Sequence, residues 1–159
     1  MDATACPQDI AYPTDLNLLN DAREKSEMLI DLLYVKELHG KKPRTYREKA
    51  RTIYLHTDQK KNKTGRIVRK GVGQQLRYLK RNIEHISKLL ERYSGIPFRK
   101  KELKYWYVIQ SLYSQREEMF REKTKSVPHR IVSIHQLYVR PIVGGKSQAK
   151  VEFGAKIHC

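Results

Sequence analysis

Val72-Gly-Gln-Gln-Leu-Arg-Tyr-Leu-Lys-Arg-Asn-Ile-Glu-His-Ile-Ser-Lys-Leu-Leu-Glu-Arg-Tyr93 carries the repeat from which the architecture follows. Its apolar residues fall at Val72, Leu76, Leu79, Ile83, Ile86, Leu90 and Tyr93, in alternating steps of four and three. That spacing places them on one stripe of an α-helix. Arg77, Lys80, Arg81, Glu84, Lys88, Glu91 and Arg92 fall between them and give a wet, mostly positive opposite side. A helix with a single apolar stripe gains its stability by laying that stripe on other helices. The stretch is short for a two-chain coiled coil, so the pattern predicts a helical bundle.

Moving outward, Arg66–Lys70 either opens this helix or precedes it, because Gly71 and Gly73 each cost about 1 kcal/mol in a helix interior. Asp58-Gln-Lys-Lys-Asn-Lys-Thr-Gly65 is a polar run that predicts an exposed loop. Before it, Thr45-Tyr-Arg-Glu48 matches a capping box opening a helix with Ala50, Ile53, Tyr54 and Thr57 inward. Earlier still, Asp15 or Thr14 is read as the cap of a helix buried through Leu19, Ala22, Leu29 and Leu33, widened by Leu18, Ile30 and Leu32. His39-Gly40 followed by Pro43 ends that helix. Pro7 and Pro13 predict an extended piece over residues 1–14.

On the far side, Ser94-Gly95-Ile96-Pro97 predicts a stop with glycine at a left-handed cap. A further helix is predicted from about Lys100 to Lys123, buried through Leu103, Trp106, Ile109, Leu112, Met119 and Phe120. Short loops between such helices suggest antiparallel neighbours. After Val127-Pro128 the pattern changes. Residues 130–143 are β-branched and aromatic, Gly144–Gln148 is a turn, and Val151–Ile157 alternates, which together predict a β-hairpin. A lone hairpin is marginal in water and wants a sheet to join. The expected class is therefore mainly α with a C-terminal β-hairpin (α+β). Its three parts are 1–14, the helical 15–127, and 128–159.

The 159 residues suit about one domain. With 33 Lys+Arg against 17 Asp+Glu the net charge is +16, and the mean hydropathy is −0.73. Charge of that size favours an anionic partner, nucleic acid first among them. A membrane surface fits less well, since the basic residues are spread over several helices without an opposing Trp/Phe-rich side. No stretch reaches the roughly 20 apolar residues of a membrane span, and no secretory signal opens the chain. Cys6 and Cys159 read as free thiols, and the scattered histidines form no zinc-type pair.

Lys60, Lys61, Lys63, Arg66, Arg69 and Lys70 form a run where a phosphate backbone could dock, extended by Arg77, Lys80 and Arg81. Two readings of this run stand side by side: a phosphate-docking surface, and the solvated side of a helix. Tyr105, Trp106 and Tyr107 are candidates for stacking on bases, although at helical spacing an aromatic cluster is commonly core.

Two terminal strings resemble a known family. They are Asp2-Ala-Thr-Ala-Cys-Pro-Gln-Asp-Ile-Ala-Tyr-Pro-Thr-Asp-Leu-Asn-Leu-Leu-Asn-Asp-Ala-Arg23, and Val139-Arg-Pro-Ile-Val-Gly-Gly-Lys146 with Val151-Glu-Phe-Gly-Ala-Lys156. They resemble the bacterial insertion-sequence transposases of the DDE type, in the insertion sequence four and five superfamily. The resemblance implies a ribonuclease-H-like catalytic sheet interrupted by a helical insertion. It also implies two divalent metals, Mg²⁺ or Mn²⁺, held by two aspartates and a glutamate for attack on a phosphodiester. Asp2 matches the first of these acids, as catalytic residue and metal ligand.

The other two acids follow the Val151–Lys156 strand in such proteins, and a DNA-binding part precedes the first strand. The resemblance thus makes this chain an internal slice, expected to show no turnover alone and to hold no metal stably. Asp9, Asp15 and Glu152 are read as a turn residue, a helix cap and an outward strand residue. The implied partner is DNA at transposon ends, with self-association through apolar helix faces also open. The implied location is the bacterial cytoplasm, at the nucleoid. The competing expectation is a non-catalytic basic helical module that binds nucleic acid.

Overall fold

The alternating stripe becomes the inner side of the central helix in a computed structural model, which describes residues 6–124 and 127–134. The helices are α1 (Cys6–Leu33), α2 (Lys36–His39), α3 (Arg47–Asp58), α4 (Gly65–Glu91) and α5 (Lys100–Glu122), and the described part of the chain is mainly helical. Val72, Leu76, Leu79 and Ile86 are buried on α4, with Ile83, Leu90 and Tyr93 packed at the edge of the same core. Leu16, Leu19, Leu29, Ile30 and Leu33 meet them from α1, and Trp106, Ile109 and Leu112 from α5.

Partner pairs fix the directions of the helices. Arg23 bonds Gln75, Ser26 bonds Asn82 and Leu33 bonds Tyr93, so α1 and α4 run parallel. Tyr54 with Asn17 and Arg47 with Asp31 set α3 antiparallel to α1. Asp15 with Arg116 and Lys25 with Tyr105 do the same for α5. The long helices that follow one another in sequence, α1, α3, α4 and α5, are antiparallel, as expected, but the most extensive packing is the parallel α1–α4 pair, flanked by α3 and α5.

Gly71 and Gly73 open space rather than break the helix. A Cβ at Gly71 would lie 2.9 Å from Thr57 Cγ2, and one at Gly73 would lie 3.0 Å from Phe120 Cζ. Their missing side chains let α3 and α5 approach α4.

Several expectations are corrected. Residues 6–14 are helical and belong to α1. Pro7 falls in the first turn, where a missing N–H leaves no bond unmade, while Pro13 forgoes one interior bond of a long helix. Asp15 is consequently inside α1 and caps nothing; its carboxylate lies 3.0 Å from Arg116 Nε. Thr45 forms no capping box, because Tyr46 is the residue before α3 and has a left-handed backbone (φ 54°) with no side-chain cap. Thr45 Oγ1 instead accepts from Arg47 Nε at 3.3 Å. The first long helix stops at Leu33, and α2 carries the chain to His39 and the expected turn at Gly40 (φ +74°).

Gly95 is no left-handed cap. Helix α4 ends at Glu91, where the N–H groups of Arg92 and Tyr93 turn back to Leu89 and Leu90. By contrast α5 spans Lys100–Glu122, close to expectation, with Glu102 accepting from the Arg99 N–H at 2.8 Å. Residues 130–134 are not strand: Ile131 N–H donates to Gln115 Oε1 at 2.9 Å, and Arg116 Nη2 donates to the Ile131 carbonyl at 2.6 Å. Side chains of α5 therefore take the backbone groups that a strand partner would have used. The rest of the expected hairpin lies outside the described residues.

Candidate nucleic-acid interface

Between Asp58 and Glu84 the chain holds nine basic residues and no acid. Lys60, Lys61 and Lys63 stand in the loop joining α3 to α4, with Lys60 and Lys61 exposed. Thr64 then caps α4, its hydroxyl oxygen accepting from Ile67 N–H at 3.2 Å. The first turn of α4 carries no acid, so the helix's positive end and the lysines before it reinforce one another toward an anion.

Arg66, Lys70, Arg77 and Lys80 are exposed on α4, and at 3.6 residues per turn they share its outer side. From Arg66 to Lys80 they extend over about 21 Å of helix. Among the described residues none of these four has a carboxylate partner.

Two predicted contacts are placed differently. Arg69 donates from Nη2 to the Phe120 carbonyl at 2.9 Å, and its guanidinium lies 3.9 Å from the Phe120 ring centroid. It therefore ties α4 to α5. Arg81 leaves the outer row and sits over two tyrosine rings, 5.0 Å from the Tyr46 centroid and 5.6 Å from that of Tyr78. Of the three aromatic stacking candidates, Tyr105 and Trp106 are core and Tyr107 is 58% exposed.

The environment of Arg81 was not foreseen. Arg44, Tyr46, Lys49, Tyr78, Arg81 and His85 line a cleft of about 580 Å³ between the start of α3 and the middle of α4. His85 donates through Nε2 to the Arg44 carbonyl at 3.2 Å, pinning the chain before α3 to α4. Burial pushes the His85 imidazole below its ordinary value, against the pull of that bond, so it acts as a neutral donor. The signal in the sequence was a tyrosine flanked by Arg44 and Lys49, concealed by the apparent capping box over the same residues.

Asp2, the candidate catalytic and metal-binding acid, lies outside the described residues. Among the described residues no group of three His, Cys, Asp or Glu side chains could hold a metal. Asp15 is engaged by Arg116, and burial pushes its carboxyl up against the pull of Arg116 and Arg130. Asp15, engaged in this way, does not fit a divalent-cation site. No helix among the described residues is long and apolar enough to cross a membrane.

Fold and surface together define a helical bundle with one strongly basic flank. Comparison of the chain with protein-family models, curated proteins and solved structures returns no match.

Proposed function

We propose that the chain is a DNA-gripping helical segment of a DDE-type transposase, contributing Asp2 as one catalytic carboxylate to DNA cleavage and strand transfer. The transposase part of the reading is supported by the terminal strings, Asp2–Arg23 and Val139–Lys156. The gripping part is supported by one observation: the outer row of α4 and the loop before it present cations without acids. Released counterions, not base contacts, drive such binding, so it is strong, independent of sequence and steeply dependent on salt.

Fluorescence anisotropy with a short DNA duplex, titrated over salt, tests the gripping surface. Four to six phosphate contacts give a slope of log K against log salt of about −4 to −5. Changing Arg66, Lys70, Arg77 and Lys80 together to Gln reduces the slope by about 3 to 4. An unchanged slope sinks the assignment of this surface. This chain alone is expected to show no turnover, and Mg²⁺-dependent nicking that disappears in Asp2→Ala would overturn that; steeply salt-dependent binding that persists in a chelator favours the non-catalytic basic module.

A further inference from the structure

The cleft at the start of α3 is physically distinct from the outer row of α4. Arg44 from the segment before α3, Lys49 from α3 and Arg81 from α4 meet there, and among the described residues none of the three has a carboxylate partner. Its walls add two tyrosines, and Tyr46 is 46% exposed. Arg81 is half-buried against both rings, so its charge is already partly stripped of water and its position is set by cation–π contact. A guanidinium so placed keeps its N–H groups for an oxyanion in the cleft.

The backbone at Tyr46 is a second, independent observation. Its φ of 54° lies in the left-handed region, where glycine and asparagine sit at least cost and a bulky aromatic is uncommon. The turn therefore holds an aromatic ring in the open where a small residue would fit the backbone better. At about 580 Å³ the cleft falls within the range of small-ligand sites, about 300–1,000 Å³.

The geometry points to a nucleotide-binding site in this cleft, with a phosphate group held by Arg44, Lys49 and Arg81 and a base laid against the open face of Tyr46. His85 is a positioning residue: through the Arg44 carbonyl it keeps the short segment before α3 in register with α4. The ligand is either a free mononucleotide or one nucleotide unit of a single strand. The inference does not depend on the outer row of α4.

The test is calorimetric titration of the full chain with three probes: a 5′-mononucleotide, the matching nucleoside, and inorganic phosphate. The mononucleotide is expected to bind more tightly than either of its halves. Tyr46→Asn suits the left-handed backbone, so it is expected to fold with undiminished thermal stability. It should weaken mononucleotide binding about tenfold, the scale of one lost base–aromatic stack, and weaken phosphate binding less, because Arg81 keeps its contact with the Tyr78 ring.

Arg81→Gln is expected to weaken both the mononucleotide and phosphate. Competition of a short single-stranded oligonucleotide against the mononucleotide identifies the source: displacement at a matching nucleotide concentration marks a free-nucleotide site, and displacement far below it marks a strand. Either displacement supports the site. Equal affinity for nucleotide and phosphate, or a folded Tyr46→Asn chain that binds as before, overturns it. Loss of duplex binding in the α4 quadruple variant with mononucleotide binding intact separates this inference from the proposed function.

Discussion

Removing Arg23 alone should damage the bundle far more than removing it together with Glu27. Arg23 is 1% exposed at the α1–α4 interface. It donates from Nε to Gln75 Oε1 at 2.9 Å, from Nη1 to the Glu27 carboxylate and from Nη2 to Asn20. Gln75 passes the network on to the Ala50 carbonyl of α3 at 3.3 Å. In Arg23→Met, Glu27 stays 5% exposed with its counter-charge gone. Breaking a buried pair in this way costs about 3–5 kcal/mol.

A second estimate agrees. Glu27 can escape ionisation by taking a proton, and from an ordinary value of 4.5 that costs ~3.4 kcal/mol at about pH 7. Arg23→Met/Glu27→Met replaces both charges by apolar side chains of similar length, an exchange that is often neutral in a buried site. It should recover at least ~2 kcal/mol relative to Arg23→Met alone.

Burial already pushes the Glu27 carboxyl above its ordinary value, in excess of the pull of Arg23. A raised acid means the folded chain binds the proton more tightly than the unfolded one. Its contribution is thus most favourable below 4.5 and declines as pH rises through the window above it. Without Arg23 the carboxyl rises further, so the gap between Arg23→Met and the parent should narrow by up to ~2 kcal/mol between about pH 7 and about pH 5. Urea denaturation followed by circular dichroism at the two pH values measures this. A gap that ignores pH, with a double variant as unstable as the single one, refutes the buried-pair reasoning.

Two smaller predictions follow from local geometry. Thr64→Ala should cost ~1 kcal/mol, since its hydroxyl oxygen caps α4; Thr45→Ala should leave the start of α3 intact, and hydrogen exchange at the first amides of each helix reads the difference. Asp31→Asn should cost no more than ~1 kcal/mol, because its bonds to Arg47 at 2.8 and 3.0 Å lie near the surface. Burial raises the Asp31 carboxyl, but Arg47 and Lys42 outweigh it and hold it below its ordinary value. Its stabilisation is therefore present above 3.8 and lost as pH falls through the lowered value. An acid-denaturation midpoint that is the same in Asp31→Asn and the parent would contradict this.

Periodicity carried most of the bundle and failed where a non-local partner overrode a local signal. The stripes of α4 and α5 were legible because burial acts on every third or fourth residue alike, and no single contact can hide that. Asp15 looked like a cap because prolines precede it; only the fold brings Arg116 from α5 to its side. Arg23 gave no sign of burial, since a sequence does not display a glutamate and a glutamine converging on one guanidinium. On the candidate interface the charge run was readable, but its division was not. Arg69 was drawn off by Phe120 and Arg81 by two tyrosines, contacts with residues far away along the chain.

A single residue can separate a functional surface from a merely solvated one. On α1 and α3, Asp31 faces Arg47 and Lys42, and Glu24 faces Arg51. The cations of α4's outer row have no such partners among the described residues, and Arg77 lies one turn from both Lys80 and Arg81. Like charges at that spacing destabilise a helix by about 0.2–0.5 kcal/mol per pair. Arg77→Gln keeps helix propensity nearly constant, so in low salt it should raise stability by ~0.5–1 kcal/mol. The gain should fade once the Debye length falls to about 3 Å near 1 M salt. The same substitution should lower duplex affinity and flatten the salt slope by about 0.9. Opposite signs in the two assays mean that Arg77 costs the fold and serves an anion; a variant more stable in low salt that binds DNA as before would leave α4 a plain solvated helix.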